Sequence, residues 1–197
     1  MRNLTRAALT AACLTAALAA ASAPAHATRM FTSPSKTTLA AVGTTMSMTT
    51  PSFEVRAGGI TVSKCNSGSM TATLADNGSS SGQVDIVFTS STFSSCTAPV
   101  TMTHNGMTLS TQAASDPFNG AVTDISVTAG SVQCTGDARD SYIDPTGTGY
   151  VYWRNNGSNN AEIELQNGGP LSSSLGTCTV DGRFTLGGAT GGNLTMG

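Results

Sequence analysis

Val100-Thr101-Met102-Thr103-His104-Asn105-Gly106-Met107-Thr108-Leu109-Ser110-Thr111 alternates apolar and hydroxyl side chains on both sides of an Asn-Gly pair. Strict alternation marks a half-buried strand, because successive side chains leave a strand on opposite faces. Asn-Gly between two such runs predicts a two-residue hairpin turn, whose central positions both need positive φ. That register pairs His104 with Met107, Met102 with Leu109 and Val100 with Thr111. The apolar residues then share one face, and Thr101, Thr103, Thr108 and Ser110 line a solvated one.

The same pattern spreads outward from this stretch. From residue 53 on, Gly, Asn, Asp, Ser and Pro punctuate short segments at spacings of about ten residues, as in all-β sandwiches and barrels. Strands are expected at 53–56, 59–65, 70–74, 83–88, 121–127 and 131–134. Residues 149–154 and 161–166 form a further expected hairpin across an Asn-rich turn. In 177–186 the alternation runs straight through Asp181-Gly182, so we expect one strand there, with Gly182 marking a bulge or a close backbone approach. No segment repeats apolar residues at helical spacing. The expected fold is an all-β, single-domain antiparallel β-sandwich, Ig-like or jelly-roll-like, over residues 53–197.

Residues 1–27 read as a secretory signal peptide. Arg2 and Arg6 precede an alanine-rich apolar run, and Ala25-His26-Ala27 is a small-x-small cleavage site. The run is too short and weakly apolar for a membrane span, and Cys13 sits badly for a lipid anchor, with Leu9 one place too far upstream. Residues 28–52 are a Ser/Thr-rich lead or an edge strand. Removing Arg2 and Arg6 from the 9 basic residues leaves 7 against 11 acidic ones. With no basic patch, nucleic acid and anionic membranes are poor partners.

Four cysteines follow the leader: Cys65, Cys96, Cys134 and Cys178. An even number in an exported chain argues for disulfides, and four cysteines allow three pairings. The spacings are too wide for zinc. A faint two-fold pattern relates Ala57-Gly-Gly-Ile-Thr-Val-Ser-Lys-Cys65 to Ala129-Gly-Ser-Val-Gln-Cys134, and Ser94-Ser-Cys96-Thr to Gly176-Thr-Cys178-Thr. It favours pairing within each half, Cys65–Cys96 and Cys134–Cys178. Two Cys-containing halves and the segment Gly176-Thr-Cys178-Thr-Val-Asp-Gly182-Arg-Phe-Thr-Leu186 resemble secreted β proteins of unknown function from high-GC Gram-positive bacteria. The resemblance implies a β-sandwich in the cell envelope or medium, and it implies no catalytic residues.

The chemistry the sequence offers is sparse. A Ser-His-Asp site needs a histidine base, and beyond the leader only His104 exists. Glu162 and Glu164 lie two apart on a strand, about 6.5–7 Å along it. Retaining glycosidases set two carboxyls about 5–5.5 Å apart. Glu162-Ile-Glu164-Leu-Gln166 resembles in part the Glu-x-Asp-x-Glu strand of jelly-roll glycoside hydrolases, but Gln166 cannot act as an acid. A glycan hydrolase is the alternative reading, with Asp124 or Asp85 as a third acid. Asp137, Asp140 and Asp144 match no EF-hand spacing and read as a solvated loop. All three tyrosines and the only tryptophan fall in 142–153. Tyr150, Tyr152, Trp153, Arg154 and Asn155 are the candidate ligand-binding residues, since flat rings on a β surface stack on sugars or anchor partners. The sequence therefore points to a secreted or envelope-associated, non-catalytic binding or structural module with no cofactor, its partner a cell-wall polysaccharide or another envelope protein.

Overall fold

The structure, a computed structural model, describes residues 29–32, 35–78, 83–104, 106–111, 118–139, 150–156, 160–188 and 194–196. For 150–156 and a few strand ends it describes the backbone alone. The expected signal peptide, Asp140 and Asp144 lie outside the described residues.

The chain is all-β. Met30–Phe31 is β1; β2 (Thr45–Thr50) and β3 (Phe53–Ala57) follow one line, broken at Pro51. Then come β4 (Ile60–Asn77), β5 (Val84–Cys96), β6 (Val100–Thr103), β7 (Thr108–Thr111), β8 (Phe118–Ala129) and β9 (Val132–Arg139). β10 (Tyr150–Asn156), β11 (Asn160–Ser173), β12 (Gly176–Gly188) and β13 (Thr195–Met196) complete the order. Every pairing is antiparallel. β1 pairs with β13, and the other strands share one sheet. That sheet runs from neighbour to neighbour along the chain and closes on itself: β12 pairs back with β2 and β3, which pair with β4. The expected two-layered packing thus takes the form of one sheet whose opposite walls face each other across the core. β2 with β3, β6 with β7, and β9 with β10 each act as one interrupted stave, giving eight positions around the wall. About eight strands enclose just enough space for side chains to fill.

The Asn-Gly hairpin does not form. β6 and β7 both pair with β8, in one continuous direction, from Val100↔Ala129 to Thr111↔Gly120. Between Thr103↔Ser126 and Thr108↔Thr123 this stave advances five residues while β8 advances three. Gly106 does adopt the positive φ its place suggests (+82°), but it uses it to absorb the two extra residues. Two-residue turns stand instead at Gly58-Gly59 and Gly130-Ser131, between Ala57↔Ile60 and Ala129↔Val132, the paired segments of the two-fold pattern, and at Ser174-Leu175, between Ser173↔Gly176. The apolar face of 100–111 is as expected: Val100, Met107 and Leu109 are buried.

Apolar side chains point inward from every side. Met70, Phe88, Met102, Met107, Val122, Ile125, Ile163, Leu165, Val180 and Phe184, contributed from around the wall, line one internal void of about 20 Å³. That is room for a single water at most, so the interior is a packed core. Phe53 stacks on Phe93 at 4.4 Å and packs against Phe184 at 6.1 Å. Two glycines admit these rings. A Cβ on Gly68 would stand 2.7 Å from Phe93 Cδ1, and one on Gly182 would stand 2.9 Å from Phe184 and 3.1 Å from Phe53. β12 is indeed one strand, with Gly182 at a close approach. The outer wall carries Thr45, Ser47, Thr49, Thr101 and Thr103, all exposed. Lipid-spanning barrels show the reverse, an apolar outer belt around a polar lumen. Among the described residues no helix is long and apolar enough to cross a membrane.

Both disulfides are those favoured from the sequence. Cys65–Cys96 joins directly opposed residues of β4 and β5. Cys134–Cys178 joins β9 to β12, which flank β11, with Cα atoms 5.9 Å apart. Two strands separated by a third lie about 9.5 Å apart in a regular sheet, so β11 is pushed out of line here. Accordingly β11 pairs with β9 only at Ser172↔Thr135, and its ladder to β12 slips on both sides of Gly168.

One end of the barrel is stoppered by the segment before β2. Met30, Ala40 and Leu194 are buried in the common core. The buried Asn77 side chain, at the end of β4, accepts a hydrogen bond from Met30 N (2.6 Å) and donates to Met30 O (2.9 Å) and Ala40 O (2.8 Å).

Candidate functional site

The expected β10–β11 hairpin forms, in register from Tyr150↔Gln166 to Asn156↔Asn160. Directly opposed residues of an antiparallel pair share a face. Ile163 and Leu165 line the interior, so the register divides the aromatic run. Positions 151 and 153 sit on the inner face, opposite Leu165 and Ile163; positions 150, 152 and 154 sit on the outer face, opposite Gln166, Glu164 and Glu162. Of the candidate ligand residues, Tyr150, Tyr152 and Arg154 therefore belong to the outer row, while Trp153 and Asn155 fall in the other. The side chains of this strand lie outside the described residues.

The outer row continues across the wall. Glu164 opposes Arg183 on β12, and Asp181, two residues before Arg183, opposes Glu54 on β3. These side chains border an open groove of about 310 Å³, with Thr50, Pro51, Ser52 and Gln166 completing its rim. The groove exists because the wall is irregular there. Pro51 interrupts the β2–β3 stave, and β11 slips after Leu165. Arg183 Nη2 donates to Glu164 Oε1 at 3.0 Å, and the Asp181 carboxylate accepts from Asn167 N at 2.7 Å. Glu54 Oε1 accepts from Thr61 Oγ1 and from Arg56 Nε, both at 2.7 Å. The Thr61 hydrogen bond, joined by Arg56 and the charge of Lys64, holds the Glu54 carboxyl below its usual range against the opposing effect of burial. Comparison with family models, with curated proteins and with solved structures finds no match.

The other sequence candidates scatter. Glu162 is buried on the outer row, where Thr185 Oγ1 donates to it at 3.5 Å. Asp85 lies on β5 opposite Asp76 and Ser110, and Asp124 on β8 donates its backbone N–H to the Asp137 carboxylate. Neither is paired with β11. His104 faces Ser91 at 2.9 Å, and burial lowers its pKa. Among the described residues no three acids, cysteines or histidines group as metal ligands. Sequence reasoning missed Glu54, Asp181 and Arg183. The alternation of 177–186 places Asp181 and Arg183 on its polar side, but only the long-range β12–β3 and β11–β12 pairings bring them to Glu54 and Glu164.

Proposed function

We propose that the protein is a secreted or cell-envelope-associated, non-catalytic binding module that takes cell-wall polysaccharide on its outer face. One observation carries the reading: the register sets Tyr150 and Tyr152 in the row that leads through Gln166 and Glu164 into the groove of Glu54, Asp181 and Arg183. Sugars are held by aromatic faces combined with carboxylate, amide and guanidinium groups that bond their hydroxyls, and residues of both kinds occupy positions in this row. The packed interior leaves the outer wall as the place for such a ligand. An amino-acid chain with four cysteines in two disulfides suits an oxidising compartment.

The test is co-sedimentation of the mature protein with purified cell wall and insoluble polysaccharides. Tyr152→Ala should abolish saturable binding while native circular dichroism is kept. Trp153→Ala, at an inner-face position, should act on stability instead. Absence of binding by the parent protein refutes the reading. The alternative, a glycan hydrolase using Glu162 and Glu164, needs a pair of carboxyls; Glu164 borders the groove, while Glu162 is buried and does not line it. Release of reducing ends, lost in Glu164→Gln, would establish that alternative.

A further inference from the structure

Where β11 is pushed outward over the Cys134–Cys178 bridge, the wall opens a second outer groove, of about 440 Å³. Its lining is Ser131, Gln133, Thr135, Ser172, Ser173 and Ser174: hydroxyls and one amide, with no charged group. Gln133, Thr135 and Ser172 are exposed on the outer face. The two grooves share β11: the first opens on its β12 side and the second on its β9 side. Along β11 the outer face passes from Glu164 and Gln166, around the slipped ladder at Gly168, to Ser172. On the facing stave it passes from Tyr152 and Tyr150 to Thr135 and Gln133. Across the slipped ladder the stretch from Glu164 to Ser172 matches six residues of β12, Arg183 to Thr177, a span of about 20 Å.

We infer that the ligand is a linear, neutral polysaccharide laid lengthwise along β11 and held in two successive subsites. One is the groove of Glu54, Glu164, Asp181 and Arg183, with the two tyrosine positions level with it on the neighbouring stave, opposite Glu164 and Gln166; the other is the hydroxyl-lined groove of Gln133, Thr135 and Ser172. The inference rests on the reading of this face as a glycan surface. Chemistry selects the ligand class. An anionic glycan would meet three carboxylates in the first groove against one lining cation, Arg183, which is already paired with Glu164. A lining of hydroxyls and an amide can exchange hydrogen bonds with an uncharged sugar without leaving a desolvated charge unpaired. A single sugar could occupy only one groove, and the separation requires a chain.

The experiment is calorimetric titration of the mature protein with β-1,4-linked oligomers of glucose, xylose and N-acetylglucosamine, from disaccharide to hexasaccharide. In the series that binds, affinity should rise by at least about tenfold from disaccharide to hexasaccharide, the effect of one or two added hydrogen bonds. The double variant Gln133→Ala/Ser172→Ala should bring hexasaccharide affinity down to the disaccharide level. Tyr152→Ala should weaken both. Equal affinity at all lengths, or an unaltered hexasaccharide affinity in the double variant, overturns the two-subsite inference while leaving a glycan surface in place. No binding by any oligomer, together with no co-sedimentation, overturns both.

Discussion

Replacing Asn77 by Ala should release the stopper at the barrel end. The Asn77 side chain is 6% exposed and makes three hydrogen bonds of 2.6–2.9 Å to backbone groups nearly 40 or more residues away in sequence. Met30 O keeps a second partner, Ala40 N at 2.9 Å. Met30 N and Ala40 O lose the Asn77 bond and remain beside the core. A net loss of about 1 kcal/mol per hydrogen bond, plus the cost of stranded buried groups, gives about 2–4 kcal/mol. For a domain of this size that lowers Tm by about 5–15 °C, if the stopper unfolds with the rest. If it opens on its own, the loss appears as faster amide exchange confined to residues 29–44. Thermal melts followed by near-UV circular dichroism, with hydrogen exchange read by mass spectrometry, separate the two. Asn77→Asp sharpens the argument. It keeps an acceptor for Met30 N but turns a carboxylate oxygen toward two carbonyls. Repulsion raises that carboxyl's pKa in the folded state, so this variant should regain stability as pH falls and its carboxyl protonates. An Asn77→Ala protein with unchanged Tm and unchanged exchange at 29–44 would refute the reasoning.

Gly182→Ala should cost about 1–3 kcal/mol, the usual scale for overpacking, because its Cβ would meet Phe184 and Phe53 at 2.9 and 3.1 Å; urea denaturation measures it, and Gly59→Ala, with nothing within 4 Å, isolates the separate effect of its +81° backbone. His104 holds a pKa lowered by burial, so the folded state binds its proton less readily than the unfolded chain; its contribution is fully present above the ordinary value of about 6.5 and is lost as pH falls through the window below it. The Tm difference between parent and His104→Gln should therefore shrink from pH 7.5 to pH 5, and a constant difference would sink the claim. Loss of either disulfide should cost about 4 kcal/mol on the chain-entropy model, given separations of 31 and 44 residues. The pair Cys134→Ala/Cys178→Ala should in addition speed amide exchange in β9 and β11, where one residue pair alone joins the strands, while Cys65→Ala/Cys96→Ala should leave exchange there unaltered.

The sequence made the strands legible wherever side chains alternated without interruption, as in 83–88, 161–166 and 177–186. It made the disulfides legible through the repeated Ala-Gly turns, each of which opens a strand carrying the first cysteine of a pair. Three features escaped it, each for a physical reason. Separate strands are expected at 59–65 and 70–74, yet β4 runs straight through 66–69, where Gly68 clears the Phe93 ring. The Ser/Thr-rich second half of β5 shows no apolar alternation, since the ladder to β4 slips after Thr71 and shifts the inward set from Phe88 to Phe93. The Asn-Gly pair signalled a backbone that could reverse, and positive φ at Gly106 serves equally well to absorb two extra residues in a strand that continues. Local sequence states the conformations a glycine permits; the long β8 partner decides which is used.

The same distinction explains why the candidate site was only half visible. A closed wall of eight regular staves around a filled core is convex everywhere, and a convex wall offers a ligand no enclosure. Concavity has to come from irregularity. Both outer grooves sit at such places: the first between the Pro51 break and the slip after Leu165, the second where β11 rides outward over Cys134–Cys178. Each irregularity gives up ladder hydrogen bonds, and two covalent or steric devices offset that loss locally, the disulfide beneath β11 and the close packing of Phe53 and Phe184 beneath Gly182. A chain with no use for these grooves would gain stability by keeping β11 in register with both neighbours. Slips occur elsewhere too, between β4 and β5 and between β8 and β9. Those of β11 are set apart by the polar side chains that border the grooves beside them, Glu54, Glu164, Asp181 and Arg183 at one and Gln133, Thr135 and Ser172 at the other. That combination is the physical reason to test this face first.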